Sequence, residues 1–290
     1  MKPPPTSLPA GLYLVATPIG NARDITLRAL DILEQADVIA AEDTRTARKL
    51  MEIHGLKPGK RPLIAYHEHS GANGRAGILK LIRAGKSVAY VSEAGTPLVS
   101  DPGYALARDV GADGLLVTAA PGASAVLTAL SLSGLPSDRF LFAGFAPNMR
   151  SARRSWLQDL APVPATLVIY ESPKRVGDLL IDMRETLGEG RQGAICRELT
   201  KKFEEVLRGS LKELSAALAE RRLKGEIVVL VERGDSTVGD EDMEAALRGA
   251  MAQMSLKDAA ATVAEAFGLP RRKVYQAALE LGKVDDRDSA

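Results

Sequence analysis

One cysteine, Cys196, stands in 290 residues. That excludes an intrachain disulfide framework and any metal site built on several cysteines. It fits a reducing compartment, so the chain is expected to be cytoplasmic. Histidine is nearly as scarce, with three residues. His67-Glu68-His69 sets two imidazoles on one side of a strand, but no third ligand follows at a metal-site spacing, so no metal is expected. No run approaches about 18 consecutive apolar residues, which leaves no membrane helix to expect. The start, Met1-Lys2-Pro3-Pro4-Pro5-Thr6-Ser7, holds no apolar stretch of signal-peptide type. An excess of one charge is missing too: 38 Lys and Arg face 37 Asp and Glu, a net charge of +1. A general polyanion binder is more basic, so any nucleic-acid contact must come from local patches. There is no G-x-S-x-G nucleophile elbow and no G-x-G-x-x-G dinucleotide fingerprint.

Short apolar runs and helical periodicities alternate along the rest. The spacing predicts strands over 11–16, 38–41, 62–66, 87–91 and 115–118, with helices near 25–33, 45–54, 77–84 and 103–110. A small-residue helix, 125–133, follows. Further strands are expected over 140–145, 165–170, 192–198, 206–209 and 226–232, with helices over 175–187 and 211–222. This alternation predicts an α/β fold in which ligands bind outside the carboxyl ends of the strands. The expected organisation is a loose tail 1–10, one α/β domain 11–120, a second 121–234, then an acidic linker and helical tail 235–290.

Four segments have the composition of a site. Ala16-Thr17-Pro18-Ile19-Gly20-Asn21 ends the first strand in a turn that turns backbone N–H groups outward, although an ordinary βα turn has the same make-up. Ser92 to Gly103 joins two Gly and two Pro to the carboxylates of Glu93 and Asp101, a loop both rigid and open to close approach. Pro121-Gly122-Ala123-Ser124-Ala125 leaves room for a flat group, or for tight helix–sheet packing. Charged clusters follow three strands: Glu42-Asp43-Thr44-Arg45, Glu171-Ser172-Pro173-Lys174-Arg175, and Arg197-Glu198-Leu199-Thr200-Lys201-Lys202. Trp156 beside Arg150, Arg153 and Arg154 reads either as an RNA-facing patch or as the packed end of an amphipathic helix.

In order along the chain, Thr17–Asn21, Glu42–Arg45, Ala94–Gly103, Pro121–Ala125, Ser133-Gly134-Leu135-Pro136, Tyr170–Pro173, Arg197–Lys201 and Lys224–Val228 resemble the ribosomal small-subunit methyltransferase I family, within the tetrapyrrole methylase superfamily. The resemblance runs from about Gly11 to Glu232. Glu93 stands where the pattern has Asp, and Lys174 where it has His. The resemblance implies two α/β domains with S-adenosyl-L-methionine in the cleft between them, a homodimer, and 2′-O-methylation of a cytidine in the decoding region of small-subunit (16S) ribosomal RNA. It places cofactor contacts at Thr17, Pro18, Gly95, Thr96, Pro97, Val99, Ser124, Ala125, Tyr170, Gly225 and Glu226. It also matches a helix-turn-helix to the tail from Ser255 to Leu281. There Ala259, Ala260, Val263, Ala264 and Phe267 form one apolar face, and Val274, Tyr275, Ala278 and Leu279 a second, across a turn at Gly268-Leu269-Pro270.

Methyl transfer from a sulfonium is an in-line displacement in which positioning supplies much of the rate. A ribose hydroxyl is a weak nucleophile and gains from a nearby base, for which Asp43, Asp101 and Glu171 are candidates. Arg45, Arg175, Arg197 and Lys201, with Arg271, Arg272 and Lys273 of the tail, are candidates for holding phosphates. Two alternatives stand beside this reading: a methyltransferase acting on a tetrapyrrole or other small molecule, and a non-catalytic RNA-binding assembly factor.

Overall fold

The computed structural model describes residues 7–57, 59–67, 70–100, 103–219, 221–234, 240–267 and 269–288; of the side chains of 240–242, 273 and 283–288 nothing is said. Its first sheet is built from the strands β1 (Gly11–Val15), β2 (Val38–Ala41), β3 (Leu63–Ala65), β4 (Ser87–Val91) and β5 (Val117–Ala120), in the order β3-β2-β4-β1-β5. Every pairing in it is parallel. β2 and β4 are buried along their whole length, as strands covered on both faces must be. The cover on one face comes from α1 (Leu27–Gln35) and α2 (Thr44–Ile53), whose Leu33 and Met51 pack with Tyr13 and Val15. On the other face α3 (Gly71–Arg83) and α4 (Tyr104–Ala112) bring Ile78, Ile82 and Leu106 against Leu12 and Tyr90. Thr26 starts α1 by accepting the Ala29 N–H at 3.1 Å.

Helix α5 (Ala125–Ser133) leads into the second sheet. That sheet comprises β6 (Phe140–Phe145), β7 (Thr166–Glu171), β8 (Gln192–Arg197), β9 (Glu205–Ser210) and β10 (Ile227–Val231). Its order is β6-β7-β10-β8-β9, and it is mixed: β6 and β7 are parallel, while β10 runs antiparallel to both β7 and β8. The charged clusters that follow β7 and β8 therefore come to one edge together with the start of β10. Ile227 pairs with Glu171 on one side and Arg197 on the other, so two strand ends and one strand start share an edge. Val126, Ala129 and Leu130 of α5 pack on Val168, Ala194, Cys196, Val228 and Leu230 of this sheet. Burial pushes the Cys196 thiol up to about 11, so it serves as an inert core residue.

Helices α6 (Arg150–Leu160), α7 (Val176–Leu187) and α8 (Leu211–Leu218) complete this part. The arginines around Trp156 lie on α6 and turn onto α7: Arg153 and Arg150 pair with Asp182, and Arg154 with Glu185. Asp182 and Arg153 are both buried, while Arg150 and Arg154 stay partly exposed in their ion pairs to α7.

Several bounds differ from expectation. α3 begins at Gly71, six residues before the expected Gly77, across a glycine-rich stretch of poor helix propensity. β5 lies two residues later than its apolar run, because the Leu115 N–H caps the preceding helix through Val110 O at 3.2 Å. α8 stops at Leu218 instead of Arg222.

The chain divides into two compact units, 1–157 with 166–232, and 158–165 with 233–290. Both sheets belong to the first; the last strand of the first sheet ends at Ala120 and the first strand of the second begins at Phe140. The second unit contains three helices among its described residues, α9 (Asp240–Met251), α10 (Leu256–Ala266) and α11 (Arg271–Asp288). Ser255 caps α10 by accepting the Asp258 N–H. Met243, Leu247, Val263, Val274, Ala278 and Leu281 form its core. The buried face of α11 is thus 274, 278 and 281; Tyr275 and Leu279, expected inside, are exposed, because the long α11 buries only one i, i+4, i+7 stripe. Gly268 of the turn lies outside the described residues.

Candidate active site

Three loops at the carboxyl edge of the parallel sheet are stitched together. Thr17 after β1 and Gly95 after β4 exchange backbone hydrogen bonds of 2.9 and 3.1 Å. Ser92 Oγ donates to Gly95 O at 3.2 Å, and Thr96 Oγ1 donates to Ala123 O at 2.9 Å. Gly95 has φ +83°, a conformation strained for any side chain, and a Cβ there would stand 3.2 Å from Ile19 Cγ2, a tight contact. Leu98 and Ser100 sit at φ 73° and 59°, left-handed conformations that cost energy in a non-glycine residue and cluster at functional sites.

The loop after β8 has the same character, with Glu198 at φ 52° and Thr200 at φ 63°. Thr200 Oγ1 accepts the Asn21 N–H at 3.1 Å and so joins this loop to the one after β1. Lys201 Nζ lies 2.8 Å from both Glu198 Oε1 and Glu226 Oε2. Burial pulls the Lys201 pKa down, but the two carboxylates outweigh it and the net shift is upward, so the lysine stays charged. Glu198 Oε1 also accepts the Glu226 N–H at 3.2 Å, which fixes the backbone where β10 begins.

Between these loops lies a cavity of about 360 Å³. Gly95, Thr96, Val99, Ser124 and Ala125 line it from the first sheet's side; Tyr170, Glu171, Gly225 and Glu226 line it from the second's. Nine of the residues singled out in the sequence therefore meet in one place. Thr17 and Pro18 do not line it; Thr17 supports Gly95 from behind. Pro97 lines a neighbouring apolar cavity of about 480 Å³ that shares Thr96, Val99 and Ser124. Sequence reasoning missed Ile19, Ala94, Ser100, Phe145, Ile227 and Val228 as cavity walls. Ile19 and Ile227–Val228 sat inside recognised motifs as apolar filler; Phe145 carried no signal beyond being an aromatic at a strand end.

The three acid candidates separate. Glu171 is buried in the cavity wall. Its Oε1 accepts the Ser172 N–H at 2.7 Å, while Oε2 accepts no hydrogen bond from the described residues, although Arg175 Nη2 stands 3.1 Å away. Asp43 caps α2 and clasps Arg45 with both oxygens, which holds its carboxyl down at about 2. Asp101 lies outside the described residues.

The basic candidates separate likewise. Arg175 is bonded to the carbonyls of Ala146 and Pro147 and to Asn148 Oδ1. Arg197 pairs with Glu205 and donates to Lys224 O at 3.3 Å. Arg45 projects into solvent, as do Arg271 and Arg272 at the start of α11; the side chain of Lys273 is outside the described residues. Glu93 and Lys174, the two departures from the family pattern, are both exposed. Among the described residues no three His, Cys, Asp or Glu side chains cluster as a metal site would need, and no helix is long and apolar enough to cross a membrane.

The family description for tetrapyrrole (corrin/porphyrin) methylases matches residues 11–215, and that for the RsmI C-terminal HTH domain matches 237–282. A protein of Mesorhizobium japonicum named ribosomal RNA small subunit methyltransferase I is 45% identical over 96% of this chain and 94% of its own length. The chain belongs to that family. The protein of the same name from Escherichia coli O157:H7 is 42% identical over 93% of this chain and 94% of its own. Among solved structures, the cobalt precorrin-4 methyltransferase of cobalamin biosynthesis superposes with a TM-score of 0.58 at 20% identity, over 76% of this chain and 94% of its own. A uroporphyrin-III C-methyltransferase from Thermus thermophilus, solved in complex with S-adenosyl homocysteine, gives 0.52 at 21% identity, over 78% and 97%. Both share the fold of the tetrapyrrole methylase family, whose matched region contains every described cavity residue up to Pro173.

Proposed function

We propose that the chain transfers a methyl group from S-adenosyl-L-methionine to the 2′-hydroxyl of a cytidine in the decoding region of 16S ribosomal RNA. It would act on the small ribosomal subunit, in the cytoplasm, as a homodimer. The observation that carries this reading is the cavity in which residues from two sheets converge around Glu171.

The cavity suits the cofactor on its own terms. Its volume falls in the range of small-molecule sites, its walls are mainly apolar, and a few polar groups converge on it. Gly95 and Gly225 hold left-handed backbone in which a side chain is strained, and a Cβ on Gly225 would also collide with the Glu198 carboxylate. Gly95, Thr96, Val99, Ser124 and Ala125 would hold it from one side, with Tyr170, Gly225 and Glu226 opposite, and Thr17 and Pro97 behind the first wall. Bound, it supplies an activated methyl on a sulfonium.

The chain's own work is to place the ribose hydroxyl in line and to take its proton. We assign the proton to the Glu171 carboxylate, the candidate acid that lies in the cavity wall and has an oxygen accepting no hydrogen bond. Arg175 orients the group while bracing the loop after β6. Arg197 and Lys201 hold the 224–226 backbone, which leaves Arg45, Arg271, Arg272 and Lys273 for RNA phosphates.

The test uses under-methylated small subunits, labelled methyl donor and nuclease mapping of the product. Label on the 2′-oxygen of one cytidine is expected. Label on a base carbon or nitrogen, or transfer to a tetrapyrrole in place of RNA, would overturn the reading.

A further inference from the structure

Aromatic side chains are scarce, with five Phe, six Tyr and one Trp, and one of them lies open in the cavity wall. Phe145, the last residue of edge strand β6, is 58% exposed and yet lines the cavity beside Tyr170 and Glu171. Regular alternation would put residues 142 and 145 on opposite faces of the strand. The register shows why they are not. Phe142 pairs with Val168 and Gly144 with Ile169, so Ala143 is an inserted residue, and Gly144 takes φ +70°. Such a bulge re-aims the side chains that follow it. Both rings consequently pack edge-on to Tyr170, Phe142 at 4.7 Å and 64°, Phe145 at 5.6 Å and 66°.

The chain beyond Phe145 is also held. Arg175 bonds the carbonyls of Ala146 and Pro147, and Ala146 is buried. A large apolar ring is thus held against Tyr170 at the end of a tied strand, and presented to solvent beside the proposed base.

We infer that Phe145 is a stacking platform for the nucleobase of the nucleotide being methylated. The inference rests on the proposed function. Its chemistry is local: the reacting oxygen is on C2′, C2′ is bonded to C1′, and C1′ bears the base. A ribose that brings its hydroxyl to Glu171 must bring its base to the adjoining wall. An unpaired base there gains from an aromatic face, the usual way proteins hold splayed-out RNA bases. Phe145 acts by positioning; it takes no part in the bond changes.

The test is a cycle between the ring and the base. Small subunits are reconstituted with RNA that is either intact or abasic at the methylated nucleotide, and binding is measured for the full-length protein and for Phe145→Leu and Phe145→Tyr. With intact RNA, Phe145→Leu should weaken binding about fivefold to a hundredfold, while Phe145→Tyr stays near the parent. With abasic RNA, Phe145→Leu and the parent should bind alike. An equal loss on both RNAs would overturn the inference. So would a matching loss of S-adenosyl-L-methionine affinity without RNA, which would give the ring to the cofactor, or a change of oligomeric state that accounts for the loss. Mapping with the parent protein comes first: absence of ribose methylation would strike the proposed function and this inference with it, whereas methylation with an additive cycle strikes the inference alone.

Discussion

Asp43–Arg45 and Glu171–Arg175 look alike in the sequence: an acid where a strand ends and an arginine a few residues on. In the folded chain they differ in nearly every physical respect. The Asp43 and Arg45 side chains are 26% and 90% exposed, against 1% and 28% for Glu171 and Arg175. Asp43 spends its oxygens on a helix start and a solvated neighbour, where ion pairs contribute little. Glu171 is buried in a cavity wall with one oxygen accepting no hydrogen bond, and the arginine that pairs with it is also tied to a loop. Burial and the number of occupied lone pairs, not the motif, separate the exposed capping pair from the pair to which the proton transfer is assigned above.

The sharpest way to break this comparison is to neutralise each acid. Glu171→Gln should lower turnover about a hundredfold to ten-thousandfold if its oxygen takes the proton. Cofactor affinity by calorimetry should stay near that of the parent. A raised Michaelis constant with turnover spared would show instead that Glu171 only orients RNA. A third acid–arginine pair extends the series inward. Asp182 and Arg153 are both buried, and Asp182→Ala leaves a charge without its partner, which costs about 3–5 kcal/mol. Denaturant unfolding checks this, and a loss no larger than that of a surface pair would refute the role of burial.

The exposed tail arginines should behave as solvated charges. Replacing Arg271, Arg272 and Lys273 by Glu should weaken small-subunit binding and flatten its dependence on salt, by about 0.7–0.9 in logarithmic slope for each phosphate no longer neutralised. Identical slopes would assign the tail a structural role. The smallest effects belong to Asp43. Its carboxyl titrates at about 2, below its ordinary 3.8, so its contribution to stability is complete above about pH 4 and disappears as pH falls through 2. Asp43→Asn, which keeps a capping side chain, should leave turnover unchanged and flatten acid unfolding only in that window.

The legible parts of the fold were those with local causes. β1, β2, β4, β7, β8 and β10 are runs of apolar residues between turn formers, and each was visible. α3 was half hidden because Gly71, Gly74 and Gly77 weaken helical propensity and packing overrides them. The mixed second sheet was invisible, since strand direction depends on partners distant in sequence. Much the same holds for the site. Gly95, Thr96, Ser124 and Gly225 announce themselves as small residues at corners, and the family pattern put them in one cleft. That Arg175, Arg197 and Lys201 would be consumed by ion pairs needed the side-chain geometry. Phe145 needed a one-residue bulge, which leaves almost no trace beyond a glycine in an edge strand.

The place of β10 has a consequence for how the chain is made. The last strand of the second sheet enters its middle, between β7 and β8, and the first strand of the other sheet likewise waits for β4 and β5. From the end of β7 at Glu171 to Ile227 is 56 residues, about 3–11 s of synthesis at ribosomal rates. Through that interval β7, and β8 once residues 192–197 are made, offer open edges to each other and to any neighbouring nascent chain. The cavity has no floor until residues 225–228 arrive, so a chain released early has no half-formed activity to offer. Completion of the cavity coincides with closure of the sheet.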